Sequence, residues 1–115
     1  MYVKDLLHNK GNAVFTVAPE TSVTELAKSL VRQRIGAAVV VDGEGGRVGV
    51  VSGRDIVRCV GERGAAAVEC KVSELMTKTM HTGTPETMID EVMSLMTERR
   101  IRHLPVIVDG KLAGI

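Results

Sequence analysis

The chain has 115 residues, the length of one compact domain, with 25% charged and 44% apolar residues and a formal net charge of +1. That balance leaves no strong global field for nucleic acid or anionic lipid, and no apolar run approaches the ~20 residues of a membrane-spanning helix. One Tyr, one Phe and no Trp argue against base-stacking platforms, and two cysteines form neither a disulfide framework nor a metal-ligand array.

In chain order, Met1 to Gly11 is polar and has no stretch of signal-peptide character, so a reducing cytoplasm is the expected compartment. Thr16 to Thr21 then reads T-V-A-P-E-T. Thr21 and Ser22 are N-cap candidates, with Glu25 three residues after Ser22. Val23, Leu26, Ala27 and Leu30 recur at helical spacing, and Arg32 and Arg34 suit a helix C-terminus. A β-rich run, Ala37 to Val41, meets the turn signal Asp42-Gly43, and a second strand covers Val48 to Val51. Ser52-Gly53-Arg54-Asp55 opens another helix, with Ile56, Val57 and Val60 apolar. Gly61 to Ala67 is a connection, and Val72 to Met76 predicts a short helical turn.

The pattern then starts again. Thr82 to Thr87 reads T-G-T-P-E-T, 66 positions after Thr16. At that offset Thr16, Pro19, Glu20, Thr21, Glu25, Arg34, Ile35 and Val40 all recur identically. Thr87 is the N-cap candidate, with Asp90 three residues on. Ile89, Val92, Met93 and Met96 repeat the apolar stripe, its methionines read as core filler. Arg99 and Arg100 repeat the basic end. Leu104 to Val108, the turn Asp109-Gly110 and a strand from Lys111 follow. The chain is therefore two copies of one strand-helix-strand-strand-helix unit, divided at 1–70 and 71–115, in a mixed α/β (α+β) fold. Copy two lacks its final helix: counterparts of Ser52 and Asp55 would stand two and five residues beyond Ile115.

Three features carry weight in combination: the two T-x-x-P-E-T openings, the run Arg100-Ile101-Arg102-His103-Leu104-Pro105-Val106, and Gly49-Val50-Val51-Ser52-Gly53-Arg54-Asp55. Together they resemble the cystathionine β-synthase (CBS) domain, a module found in tandem pairs, and the likeness to a stand-alone bacterial pair runs from Val14 to Ile115. The resemblance implies two α/β units packed about a pseudo-twofold axis, with two clefts between the copies. Adenosine-containing ligands such as AMP, ADP, ATP, S-adenosylmethionine or NAD(H) occupy such clefts in many relatives. It also implies a regulatory role without catalysis, a homodimer and a client protein that receives a shape change, with no membrane contact.

The chemistry of the residues fits. A carboxylate at a helix start can accept from both ribose hydroxyls, and a nearby Ser can donate to phosphate or ribose. Asp55 and Ser52 are those residues; the plain alternative is an N-cap pair. Arg102 and His103 stand at the mouth of an apolar run and offer donors for phosphate oxygens; the plain alternative is a solvated helix end. The resemblance implies one site of Ser52, Asp55, Arg102 and His103, its base walled by Met80, His81 and Thr82. In the second cleft, with Thr16, Ile35, Gly36, Ala37 and Ala38, Gly36 and Ala37 replace the basic pair and the carboxylate would lie beyond Ile115.

Weaker signals lead nowhere. Gly43 to Gly49 is glycine-rich but matches neither G-x-G-x-x-G nor the P-loop and reads as a hairpin loop. Cys59 and Cys70 with His81 and His103 lack zinc-site spacing, and two buried or semi-buried thiols are the better reading. An oligomerising module with empty clefts is the main rival reading. A nucleic-acid binder using Arg99 to His103 is disfavoured by the near-neutral charge.

Overall fold

A computed structural model of the chain describes residues 1–115 except Asn12, Gly45 and Thr79; the expectation of a hairpin loop over Gly43 to Gly49 falls in part on Gly45, outside the described residues. The architecture is mixed α/β, built from two repeats. The chain falls into two compact units, one spanning Phe15–Met80 and the other combining Met1–Val14 with His81–Ile115.

In the first of these, β1 (Thr16–Val17) lies parallel to β2 (Ala37–Val41), and β2 pairs antiparallel with β3 (Arg47–Ser52). Between β1 and β2 runs helix α2 (Val23–Gln33), after the N-terminal helix α1 (Val3–Lys10). Ser22 caps α2, its hydroxyl oxygen accepting the Glu25 N–H at 3.1 Å, which satisfies one of the helix's free donors. The stripe Val23, Leu26 and Leu30 is buried. It packs into a core with Ala38, Val40, Val51, Val72 and Leu75, each larger side chain contributing about 1.5–3 kcal/mol. Helix α3 (Gly53–Arg63) and a 3-10 turn, Gly64–Glu69, cover α2. The short α4 (Val72–Leu75) closes the unit.

The other unit repeats this plan. Gly83 bridges Val106 in parallel as Val17 pairs with Val40, and β4 (Val106–Val108) pairs antiparallel with β5 (Lys111–Gly114). Even the irregularity recurs: the ladder slips between Val40 and Val41 and again between Val106 and Ile107. Helix α5 (Ile89–Arg99) matches α2 in length but buries no residue. The expected core stripe is only partly realised there: Ile89, Val92 and Met96 are half-buried and Met93 is 62% exposed. Thr87 is not the N-cap either. Met88 holds that position without a side-chain bond, and Thr87 Oγ1 instead accepts the Thr84 N–H at 2.9 Å, closing the preceding turn.

One relationship escaped the sequence reading. Residues 70–73 dock on the opening of repeat one: the Cys70 carbonyl accepts from Val23 N–H, Val72 N–H donates to Thr21 and Ser73 N–H to Pro19, at 2.8–3.0 Å. Residues 1–4 dock on the opening of repeat two in the same register. The Met1 carbonyl accepts from Ile89 N–H, Val3 N–H donates to Thr87 and Lys4 N–H to Pro85, at 2.9–3.0 Å. Each docking segment carries its own turn lock. Asp5 accepts the Tyr2 N–H at 2.8 Å and Glu74 the Lys71 N–H at 2.7 Å. Each repeat is thus completed by a segment that precedes the other repeat, so compact units and sequence repeats have different edges.

Candidate functional site

Ser52 ends β3 and is the N-cap of α3, and Asp55 is the third residue of that helix. Asp55 is only 7% exposed, the one buried charged residue among those described. Its Oδ2 accepts the Ser52 N–H at 2.8 Å and the Ser52 hydroxyl at 3.2 Å. Its Oδ1 accepts Arg58 Nη2 at 2.8 Å, from a guanidinium that is itself largely exposed. The capping reading of this pair is therefore realised. A carboxylate has about four lone-pair sites, and three of those on Asp55 are engaged within the chain. Arg58 went unread in the sequence, although its position three residues after Asp55 on a helix is the signal for such a pair.

Strand register decides what surrounds Ser52. Ala37 lies directly across the ladder from it, and the Gly53 N–H donates to the Gly36 carbonyl at 3.0 Å. Gly36, Ala37 and Ala38, expected in one cleft, and Ser52 and Asp55, expected in the other, thus share one corner of the Phe15–Met80 unit. Thr16, on β1, pairs with Val39 and is exposed, as is Ile35. Met80 is half-buried in the same unit. His81, Thr82, Arg102 and His103 belong to the other unit. There Arg102 and Thr82 are exposed, His81 and His103 half-buried, and Leu104, Pro105 and Val106 buried beside them.

A cavity of about 550 Å³ in that unit includes Thr82, Leu95 and Leu104, but also Asp90, Glu91 and Glu98. Three carboxylates oppose a phosphate, so this hollow does not suit a nucleotide. Among the described residues no cluster of His, Cys, Asp or Glu is placed to hold a metal ion, and no helix is long and apolar enough to cross a membrane.

The CBS domain family model matches residues 3–62 and 72–115. The chain belongs to the CBS domain family. A crystal structure of a CBS-domain containing protein from Agrobacterium tumefaciens is 42% identical and superposes with a TM-score of 0.94, covering 98% of this chain and 84% of that one. The CBS domain pair of protein MJ0100, solved in complex with 5′-methylthioadenosine and S-adenosyl-L-methionine, is 26% identical with a TM-score of 0.85, covering 99% of this chain and 86% of that one. A 17.7 kDa protein of Acidianus ambivalens is 33% identical over 103 residues, 89% of this chain, and this chain spans 61% of its length. A tandem pair accounts for what the repeats alone left open: two copies at one offset, each with its own sheet, and a Ser-x-x-Asp signature at a strand-to-helix junction.

Proposed function

We propose that this CBS pair is a non-catalytic regulatory module that binds an adenine nucleotide, AMP first, and passes the binding on to a client protein. The observation that carries this is the buried Asp55 carboxylate, held with Ser52 at the β3–α3 junction beside Gly36 and Ala37. The adenosine compounds held by the MJ0100 pair support the ligand class. In this reading Asp55 accepts from the ribose hydroxyls, Ser52 donates to ribose or phosphate, and Arg102 and His103 are the phosphate donors. Met80, His81 and Thr82 border the base. Two basic groups suit one phosphate or two, which places AMP or ADP ahead of ATP; NADH competes through its AMP half.

The test is calorimetric titration of the whole chain with AMP, ATP, NADH and S-adenosylmethionine, repeated on Asp55→Asn. Loss of a charged acceptor costs roughly 1.5–3 kcal/mol, about ten- to hundredfold in affinity. Deoxyadenosine monophosphate, lacking one hydroxyl, binds more weakly than AMP to wild type but not to the variant. No binding of any of these ligands by wild type leaves the rival reading, a structural module. That reading has its own support in the three internal hydrogen bonds that already occupy Asp55. We also propose a homodimer in the cytoplasm, for which the exposed Met93 of α5 and its N-cap Met88 offer an adaptable apolar face; sedimentation as a monomer at micromolar concentration would count against it.

A further inference from the structure

The two cysteines come together, and no part of the ligand reading uses them. Cys59 lies on α3 and is 5% exposed; Cys70 follows the 3-10 turn that packs on α3 and is 6% exposed. Both belong to one buried cluster. Arg63 stands one helical turn after Cys59, on the same face of α3, and its Nη1 reaches Cys70 Sγ at 2.9 Å and Glu74 Oε1 at 3.1 Å. Burial first, and then the neighbouring Cys70 side chain, push the Cys59 thiol up, while the Cys70 thiol donates to the Ala66 carbonyl at 3.7 Å. The Cys70 sulfur therefore has a guanidinium donor on it and a second thiol beside it, while Cys59 stays protonated. A cationic donor on one sulfur favours attack by that sulfur, and a second thiol beside it is placed to resolve the product as a disulfide.

We propose that Cys70 and Cys59 are an oxidisable pair that closes to an intramolecular disulfide when the chain meets a hydroperoxide. The Cys70 sulfur, its proton leaving to solvent, attacks the nearer peroxide oxygen. An S–O bond forms, the O–O bond breaks, and the departing oxygen takes up a proton as water or alcohol. Cys59 then attacks the sulfenic sulfur; the S–S bond forms, the S–O bond breaks, and hydroxide combines with the Cys59 proton as water. Two thiols are oxidised by two electrons and one peroxide is reduced. Arg63 is a positioning residue that holds the attacking sulfur. The bond ties α3, whose N-cap is Ser52, to the segment whose Cys70 carbonyl accepts from Val23. A ligand corner on one side and a docking segment on the other would then be locked together.

The experiment treats the folded chain with hydrogen peroxide, then counts free thiols and measures intact mass without reductant. The expected result is loss of both thiols and of two hydrogens in a monomeric species, with a crosslinked Cys59–Cys70 peptide, all reversed by dithiothreitol. In Cys59→Ala, Cys70 stops at the sulfenic acid and is trapped by dimedone. In Cys70→Ala, Cys59 remains a thiol at the same peroxide exposure. Arg63→Ala slows disulfide formation about tenfold, as loss of a charged hydrogen bond to the reacting sulfur requires. Circular dichroism shows which variants are folded before their rates are read. Two intact thiols in oxidant-treated folded wild type overturn the proposal, as does oxidation that yields only intermolecular disulfides or equal rates in wild type and Arg63→Ala.

Discussion

Arg34 and Arg100, 66 positions apart, hold the same left-handed backbone: φ 55°, ψ 46° at the end of α2 and φ 55°, ψ 43° at the end of α5. Both are C-caps, and each helix is followed by a bond from the next residue back into it, Ile35 N–H to Leu30 and Ile101 N–H to Met96. The left-handed region costs a residue with a Cβ roughly 1–2 kcal/mol, and glycine avoids that cost while losing more entropy on folding. Arg34→Gly and Arg100→Gly are each expected to stabilise the fold by up to about 1 kcal/mol. Equilibrium urea unfolding reads this as a higher midpoint at unchanged slope; a lower midpoint in both variants overturns it.

The helix N-termini differ where the C-termini agree. Ser22 caps α2, whereas Met88, its counterpart, gives α5 no side-chain acceptor. Met88→Ser should add about 0.5–1 kcal/mol, and Ser22→Ala should remove about 1 kcal/mol. Thermal unfolding of the two variants distinguishes them by opposite shifts in Tm.

Gly49 and Gly114 are strand residues pressed by the stretches that follow the docking segments. A Cβ on Gly49 would stand 2.7 Å from the Thr77 carbonyl oxygen, while one on Gly114 would stand 2.8 Å from the tip of Leu7. Backbone cannot step aside as the end of a leucine can. Gly49→Ala is therefore expected to cost about 1–3 kcal/mol, near the upper figure, and Gly114→Ala well under that. Equal losses in chemical denaturation would refute the distinction.

Glu74 links stability to acid. The Lys71 N–H, and next the Arg63 guanidinium, hold its carboxyl below the usual glutamate range. A carboxyl depressed by folding stabilises the chain above its unfolded value, about 4.3, and that contribution is lost as pH falls through the lower folded value. Glu74→Gln should flatten the stability profile below that point and leave the neutral-pH side nearly unchanged in slope. The side chain is 44% exposed, so added salt weakens the effect. A Glu74→Gln profile parallel to wild type throughout the acid range removes Glu74 from the account.

The sequence was legible where side-chain identity forces structure. Ser22, the Val23-Leu26-Leu30 stripe and the Ser52–Asp55 pair all announce their roles through residue type and spacing. The α5 stripe misled in part because spacing says which residues share a face, not what covers that face. Arg34 and Arg100 gave no sign of a left-handed cap, since arginine is not a residue that favours one. The docking segments were invisible for another reason: their bonds run through backbone N–H and C=O groups, which every residue carries. Their only written trace is the loose likeness of Tyr2-Val3-Lys4-Asp5-Leu6 to Lys71-Val72-Ser73-Glu74-Leu75. At the candidate site, residue types pointed to Asp55, but only the β2–β3 register shows that Ala37 is its neighbour across Ser52.

The crossed docking segments also decide which stretches of chain each unit needs before it can close. The Phe15–Met80 unit draws on one unbroken stretch and can close as soon as that stretch leaves the ribosome. The other unit cannot: Met1 to Lys4 emerge early and wait for Pro85 to Ile89, and Lys10 Nζ meets the Ile115 carbonyl at 2.6 Å across 105 positions. Closing so long a loop costs only slowly more than closing a short one. The Asp55 corner therefore depends on one continuous stretch of chain, whereas the Arg102–His103 unit depends on two that lie far apart in sequence.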